Sequence, residues 1–237
     1  MHSTIDNLQV LFEDNHLIVI NKRVGDIVQG DITGDEPLSE VVKAYLAEKY
    51  NKPGKAFLGV VHRLDRPTSG LVVFAKTSKA LERMNKLLRE KSIEKTYWAL
   101  VEGHPDANQG TLRHHLKKNP RNNRSTAYVK ESQDTKLAVL HYKKLLDLDR
   151  YTLLEINLET GRHHQIRCQL AVIGHPIKGD LKYGSKRSNK DGGILLHARR
   201  IKFIHPVKKA EISLEASLPQ SPLWQLCQAE LLKRQGL

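Results

Sequence analysis

Short apolar runs separated by turn residues dominate the pattern along this chain. Near the N-terminus, residues 9–12 and 17–21 are two such runs, joined by Glu13, Asp14 and Asn15, so we expect a hairpin to open the fold. Further runs of this kind predict strands over residues 57–61, 71–75, 97–101, 111–116, 126–130, 137–146, 151–158, 194–203 and 211–216. Most connections are short, which favours antiparallel neighbours.

Four segments instead place apolar residues at helical spacing. Residues 37–50 follow Asp35, which we expect to cap the helix, and a second helix begins at Ser78. Residues 163–172 predict a third helix that ends at Gly174, and residues 222–234 predict a closing helix. A long succession of strands interrupted by few helices indicates the α+β class rather than a doubly wound parallel sheet.

Charge narrows the choice of partners. The 237 residues include 39 Lys and Arg against 26 Asp and Glu, a net charge of +13. Residues 1–50 hold four basic and nine acidic residues, a balance of −5, so residues 51–237 carry +18. A basic surface of this size is typical of proteins that bind a polyanion such as nucleic acid.

Membrane and secretory signals, the cysteine count and the chain length bear on the cellular location and the domain organisation of the protein. No run approaches the roughly 18 apolar residues of a membrane span, and the N-terminus lacks a secretory pattern, so we expect a cytoplasmic protein. Cys168 and Cys227 are too few for a disulfide framework or a zinc site, and we expect both to be reduced packing residues. The length fits one catalytic domain, residues 1–237, and we expect a monomer without an obligate protein partner.

The segment 117–125 concentrates four cations among turn formers. We expect a loop here, and two interpretations stay open. The loop is either solvated or binds phosphates through Lys117, Lys118 and Arg121. Residues 178–190 form a second basic segment of this type.

The strongest candidate for chemistry is Asp65, which lies in a turn before an apolar strand. Pro67 and Gly70 shape that turn, and Arg63 and Arg66 flank the carboxylate, which favours its ionised form. On local physics alone, a solvated surface ion pair is the competing interpretation.

Three ordered blocks of sequence resemble the signatures of the RluA family of pseudouridine synthases. They span residues 62–71, residues 95–103 and residues 158–167, the last continued by 174–184. Residues 10–22 resemble the opening hairpin of the family, so the resemblance covers about residues 8–220.

The resemblance implies a fold and an activity. The fold is a large, bent, mostly antiparallel mixed sheet flanked by helices, with the active cleft across its middle and without the N-terminal S4 domain of some relatives. The activity is conversion of uridine to pseudouridine in RNA, with no cofactor or metal. Asp65 corresponds to the nucleophile; attack at the sugar C1′, addition at C6 of the base and abstraction of a sugar proton stay open.

Further site residues follow from the resemblance and the charge pattern. Tyr97 corresponds to the tyrosine that stacks on the target base, and Arg167 to the arginine that pairs with the aspartate. Because a paired base is inaccessible, the target must be looped or flipped out, and Arg63 resembles the side chain that fills the vacated space. His62 is expected to orient the turn. The expected substrate-binding residues are His62, Arg63, Arg66, Thr68, Gly161, Arg162, Lys117, Lys118 and Arg121.

The RNA target and the class of function each have alternatives. Ribosomal RNA is preferred from family frequency, and transfer RNA is the alternative. A non-catalytic RNA-binding or chaperone protein on the same fold is a rival of another class. A metal-dependent nuclease is suggested by twelve histidines, but the adjacent pairs His114-His115 and His163-His164 lack spaced carboxylates.

Overall fold

The computed structural model describes residues 2–31, 33–54 and 56–234. The chain divides into two compact units: unit 1 contains residues 1–95 and 198–217, and unit 2 contains residues 96–197 and 218–237. The single domain expected from the sequence stays a prediction.

Eleven strands and four α-helices are found in the described residues. The strands are β1 (Val10–Glu13), β2 (Leu17–Lys22), β3 (Gly59–Val60), β4 (Ser69–Ala75), β5 (Ile93–Glu102), β6 (Gln109–Asn119), β7 (Arg124–Tyr128), β8 (Lys136–Asp147), β9 (Tyr151–Leu158), β10 (Leu196–Ile204) and β11 (Glu211–Glu215). The helices are α1 (Leu38–Lys49), α2 (Ser78–Arg89), α3 (Gln165–Val172) and α4 (Pro222–Arg234). The predicted α+β class is therefore confirmed.

Unit 1 is built on a pair of fully buried strands. Antiparallel β2 and β4 pair from Leu17↔Ala75 to Lys22↔Gly70, and every residue of both strands is buried. Continuous burial means that both faces of this pair are covered, which explains why their sequences read as uninterrupted apolar runs rather than as alternation. The turn with Asp65 leads directly into β4.

Unit 2 is an antiparallel sheet with two apolar clusters. The strands run in the order β5, β9, β8, β6, β7. One cluster packs α4 through Trp224 and Cys227 against Leu100 and Leu153, and the other places Cys168 of α3 under β6 and β8. Both cysteines are buried and free, as expected.

Two local predictions are wrong. Asp35 does not cap α1: Pro37 holds the N-cap position without a side-chain cap, and the Asp35 carboxylate lies 2.7 Å from Nη1 of Arg66. Helix α3 begins at Gln165 rather than His163, because His164 has φ +51, a left-handed conformation that a helix cannot contain. Gly174, with φ +85, does end this helix, one residue after its C-cap.

The expected loop over residues 117–125 is also wrong, because most of it is strand. Lys117, Lys118 and Asn119 belong to β6, and Arg124 and Ser125 belong to β7, with pairing that extends to Asn119↔Arg124. Only residues 120–123 remain as the turn. Asn123, with φ +47, closes it, since asparagine tolerates the left-handed region well.

None of the described helices combines the length and the apolar character needed to cross a bilayer.

Candidate active site

The turn that carries Asp65 is closed by its own backbone. The N–H of Thr68 donates to the carbonyl of Asp65 at 3.0 Å, as in a β-turn. Asp65 itself is half-buried, whereas Thr68 is only 2% exposed, so the threonine fixes the turn from inside. The buried position of Thr68 favours a positioning role over the direct substrate contact expected from the sequence.

The buried side chain of Lys22 holds this turn through hydrogen bonds to backbone carbonyls. Its side chain is 1% exposed, and its Nζ donates to the carbonyls of Arg23, Asp26 and Arg66 at 2.8, 2.8 and 3.2 Å. Burial lowers the pKa of Lys22 to about 7, while the nearby carboxylates of Asp26 and Asp65 act in the opposite direction. The lysine therefore tethers the backbone of the turn, and the neighbouring carboxylates favour its charged form.

His62 holds the other end of the turn to β4. Its Nε2 accepts a hydrogen bond from the N–H of Val73 at 3.2 Å, which requires that this nitrogen be unprotonated. Burial, together with the charge of Lys95, lowers the pKa of His62 to about 3. A neutral acceptor in this place supports the expected orienting role rather than acid–base work.

The two arginines of the turn are in different surroundings. The guanidinium of Arg66 faces Asp35 at 2.7 Å, Asp31 at 3.8 Å and the hydroxyl of Thr33 at 2.8 Å. Arg63 is exposed. Arg66 is thus neutralised by two acids, whereas Arg63 lies where an external ligand can reach it.

Gly70 permits a close backbone approach just after the turn. Its φ is +111, and a Cβ added there would lie 2.4 Å from the carbonyl oxygen of Ala198 on β10. No other residue type fits both the conformation and the space. The glycine of the motif therefore fixes how β4 leaves the turn.

In unit 2, Arg167 is held by an acid that the sequence analysis did not single out. Its Nε and Nη2 donate to the two carboxylate oxygens of Asp180 at 2.7 and 2.9 Å, and the two residues are 5% and 1% exposed. The guanidinium also lies 5.2 Å from the ring centroid of Tyr183. A bidentate bond on one edge and a ring against the group leave Arg167 little rotational freedom.

Tyr183 is itself fixed. Its hydroxyl accepts a hydrogen bond from the N–H of Ser125 at 2.8 Å and lies 3.0 Å from Nδ1 of His164. Burial raises the pKa of Tyr183 to about 12, so it stays neutral. The left-handed His164, which delays the start of α3 to Gln165, thereby supports the ring against which Arg167 lies.

Tyr97 lies on β5 opposite Ile156 and is 7% exposed. The structure thus confirms its place on a strand, and its role in stacking on a base stays a prediction.

The basic residues that the sequence predicts to bind RNA in unit 2 fall into two groups: those that line a cavity, and Arg121, which lies outside it. Lys117, Lys118, Gly161 and Arg162 line one cavity on unit 2, with Lys136 and His163 as further lining residues. Arg121 lies in the β6–β7 turn and, among the described residues, is not part of that lining. The third block and the basic segment, separated by about forty residues of sequence, are therefore brought together.

Sequence reasoning missed Lys22, Lys136, Gln165 and Asp180. Lys22 and Asp180 lie inside stretches that resemble the family, but the sequence does not indicate which groups these two side chains contact. Gln165 is 3% exposed and receives the N–H of Arg162 at 3.0 Å and the hydroxyl of Thr160 at 2.8 Å on its Oε1. Lys136 has no local signal, because it reaches the cavity only through strand pairing.

No group of three or more histidine, cysteine, aspartate or glutamate side chains is placed to hold a metal ion in the part of the chain that the structure describes.

Comparison with known proteins identifies the family. Residues 16–172 match the family model described as RNA pseudouridylate synthase. A ribosomal large subunit pseudouridine synthase D of Zymomonas mobilis is 36% identical over 225 residues, covering 90% of this chain and 70% of the relative. A ribosomal large subunit pseudouridine synthase C of Vibrio cholerae is 33% identical over 215 residues, covering 88% of this chain and 65% of the relative. The chain thus spans about two thirds of the length of these relatives.

Solved structures support the fold. The structure of human RNA pseudouridylate synthase domain containing 4 superposes with a TM-score of 0.77 at 23% identity, covering 94% of this chain and 93% of that one. This likeness confirms the predicted pseudouridine synthase fold. The family model and the sequence relatives show that the chain belongs to the RluA family of RNA pseudouridine synthases, a family of RNA-modifying enzymes.

Proposed function

We propose that this protein isomerises specific uridines in ribosomal RNA, with Asp65 as the nucleophile. The observation that carries the proposal is the construction around this carboxylate. A buried lysine, a neutral histidine and a close-packed glycine fix the turn, while Asp65 itself remains partly accessible. Rigid support under an accessible functional group is the arrangement that catalysis requires.

Ribosomal RNA is proposed because the matched relatives from Zymomonas mobilis and Vibrio cholerae are named for the large ribosomal subunit. The net charge of +13 agrees with a polyanionic substrate. With that substrate, the protein acts in the cytoplasm, as a monomer and without an obligate protein partner.

Arg167 and Tyr97 are the further catalytic residues of the proposal. The bidentate bond to Asp180 holds the Arg167 guanidinium in one orientation, which suits the role of supporting an ionised carboxylate. Arg63 in the turn and the cavity residues Lys117, Lys118, Gly161 and Arg162 bind the RNA, together with Arg121 in the hairpin turn, whereas Arg66, paired with Asp35, positions the turn.

The test is release of tritium from ribosomal RNA labelled at C5 of uridine. Formation of the C5–C1′ bond replaces the C5–H bond, so one C5 hydrogen enters water for each isomerised uridine. We expect release by the wild type, none by Asp65→Asn, and wild-type release by Asp106→Asn, which changes an exposed acid in the β5–β6 connection.

Three outcomes decide the proposal. Wild-type release by Asp65→Asn would remove Asp65 as the nucleophile. Release from transfer RNA but not from ribosomal RNA would transfer the activity to the alternative substrate. Binding of RNA without release from either would favour the non-catalytic RNA-binding protein.

A further inference from the structure

A cavity of about 470 Å³ opens on unit 2, at the end where β6, β7 and β8 meet the loop before α3. Strand pairing determines its floor and walls. Leu116 lies opposite Lys136, and Lys118 lies opposite Ser125, so these four residues share one face of the sheet. Leu116 and Ser125 are 4% and 2% exposed and form the floor, while both lysines are exposed at the wall.

Arg162 completes the wall in a fixed orientation. Its Nε donates to the carbonyl of Leu137 at 3.0 Å, and its backbone N–H donates to Gln165 at 3.0 Å. The two terminal guanidinium nitrogens have no partner within the described residues. An arginine anchored through Nε presents its remaining donors as a fork, the geometry that matches two oxygens of one anion.

The cations of this wall are not neutralised by the protein. Within the residues that the structure describes, the ammonium groups of Lys118 and Lys136 have neither an ion pair nor a hydrogen bond. Asp134, the one acid in the described part of the lining, lies 3.3 Å from Lys117 at the rim. Three cationic groups around one concave space repel one another, so the arrangement favours an anion between them.

His163 shapes the cavity without offering it a donor. Its Nδ1 lies 2.9 Å from the hydroxyl of Ser125, its Nε2 lies 3.0 Å from Oδ1 of Asn123, and its ring stacks on His164 at 3.8 Å. Both ring nitrogens are therefore engaged within the protein. The hydroxyl of Ser125 is also engaged, since it donates to the carbonyl of His163 at 2.7 Å.

From this arrangement we propose that Lys118, Lys136 and Arg162 form a binding site for one phosphodiester group of the RNA backbone. The inference rests on the proposed function for the identity of the ligand, and it assigns Lys136, which no sequence motif indicated, as a phosphate contact. A cavity in the range of roughly 300–1,000 Å³ has room for a drug-sized group, so the attached ribose also fits.

The site is tested by the salt dependence of RNA binding. The probe is a fluorescein-labelled single-stranded oligouridylate, titrated with the full chain at several KCl concentrations. For Lys118→Gln/Lys136→Gln/Arg162→Gln we expect weaker binding and a plot of log affinity against log salt that is shallower by about 0.7 to 1, the effect of one lost phosphate contact.

Two control variants separate a site from general charge. Lys79→Gln/Arg83→Gln/Arg89→Gln removes the same charge from exposed positions of α2 and should leave the slope almost unchanged. Lys118→Arg/Lys136→Arg/Arg162→Lys keeps all three charges and should keep the slope. Equal reductions in the cavity variant and the α2 variant would overturn the proposal, because they would show only a dependence on net charge.

A second probe tests the phosphate itself. In the same oligomer with uncharged methylphosphonate linkages, we expect wild type and cavity variant to bind equally weakly. A cavity variant that still bound more weakly than the wild type would show recognition of base or sugar, and would overturn the phosphate assignment. Asp65→Asn should retain the wild-type slope, so failure of the proposed catalysis and failure of this site are measured separately.

Discussion

The turn at Asp65 and the cavity on unit 2 both gather cations, but they differ in how those charges are neutralised. At the turn, Lys22 donates to three carbonyl groups, and Arg66 is paired with Asp35. At the cavity, the charges of Lys118 and Lys136 have no partner in the described chain. Charges that the protein satisfies hold a shape, whereas the open charges gathered around one cavity are the basis of the proposed phosphate site.

Arg167 belongs with the turn in this comparison, because its charge is met inside the protein by Asp180. The role of Arg167 can therefore be disrupted in two ways: by removing Asp180, the acid that pairs with it, or by removing the guanidinium itself.

Asp180→Ala should cause the largest loss of stability. It leaves the Arg167 cation buried without its acid, and breaking a buried pair in this way costs about 3–5 kcal/mol of unfolding free energy. Urea unfolding monitored by tryptophan fluorescence measures the change. The double variant Arg167→Met/Asp180→Leu buries no charge and should recover most of the stability, yet its tritium release should remain low. Recovery of both properties would show that Arg167 has only a structural role.

Gly70→Ala should destabilise unit 1 by about 1–3 kcal/mol, because a Cβ at φ +111 would overlap the backbone of Ala198. Gly30→Ala is the control: no atom of the described residues lies within 4 Å of an added Cβ there, and we expect a change within about 0.5 kcal/mol. Thermal unfolding of both variants decides the matter. Equal effects would mean that the approach of β4 to β10 is not tightly fixed.

Stability should fall as pH drops from 6.5 towards 3, in part because of His62. Its pKa is about 3 in the folded protein and ordinarily 6.5, so between these values the unfolded chain binds the extra proton and is favoured. In His62→Gln, the amide oxygen can still accept from Val73 but does not titrate, so its unfolding free energy should fall less steeply over this range. His114 and His205, whose pKa values burial also lowers, titrate in both proteins. Parallel pH curves would therefore contradict the assigned role of His62.

Asp134→Asn should have the smallest effect on stability, within about 1 kcal/mol, since its pair with Lys117 is exposed on both sides. The same change removes the only acid among the described residues that line the cavity, so binding of the oligouridylate should become tighter and its salt dependence steeper. Urea unfolding measures the change in stability, and a fluorescence anisotropy titration with the labelled oligouridylate measures the change in affinity. Weaker binding would mean that Asp134 positions Lys117 for the RNA rather than competing with it.

Much of the fold was predictable because its signals are local. Buried strands such as β2 and β4 appear as apolar runs, and the closing helix α4 matches its predicted bounds of 222–234. The errors arose where nonlocal contacts outweighed local preference. Asp35 is a good capping residue by type, yet it pairs with Arg66, and the turn formers of 117–125 are drawn into strands by pairing with each other.

By itself, the sequence determined the family resemblance, the basic character and the identity of Asp65, Tyr97 and Arg167 as candidate catalytic residues, because short contiguous motifs carry that information. Only the tertiary structure decided which groups neutralise one another. Arg66 pairs with Asp35, 31 positions away, and Arg167 pairs with Asp180, 13 positions away, whereas strand register brings the cation of Lys136 towards those of Lys118 and Arg162. Electrostatic partnership depends on distances of a few ångströms, and these are fixed by chain folding rather than by spacing along the chain.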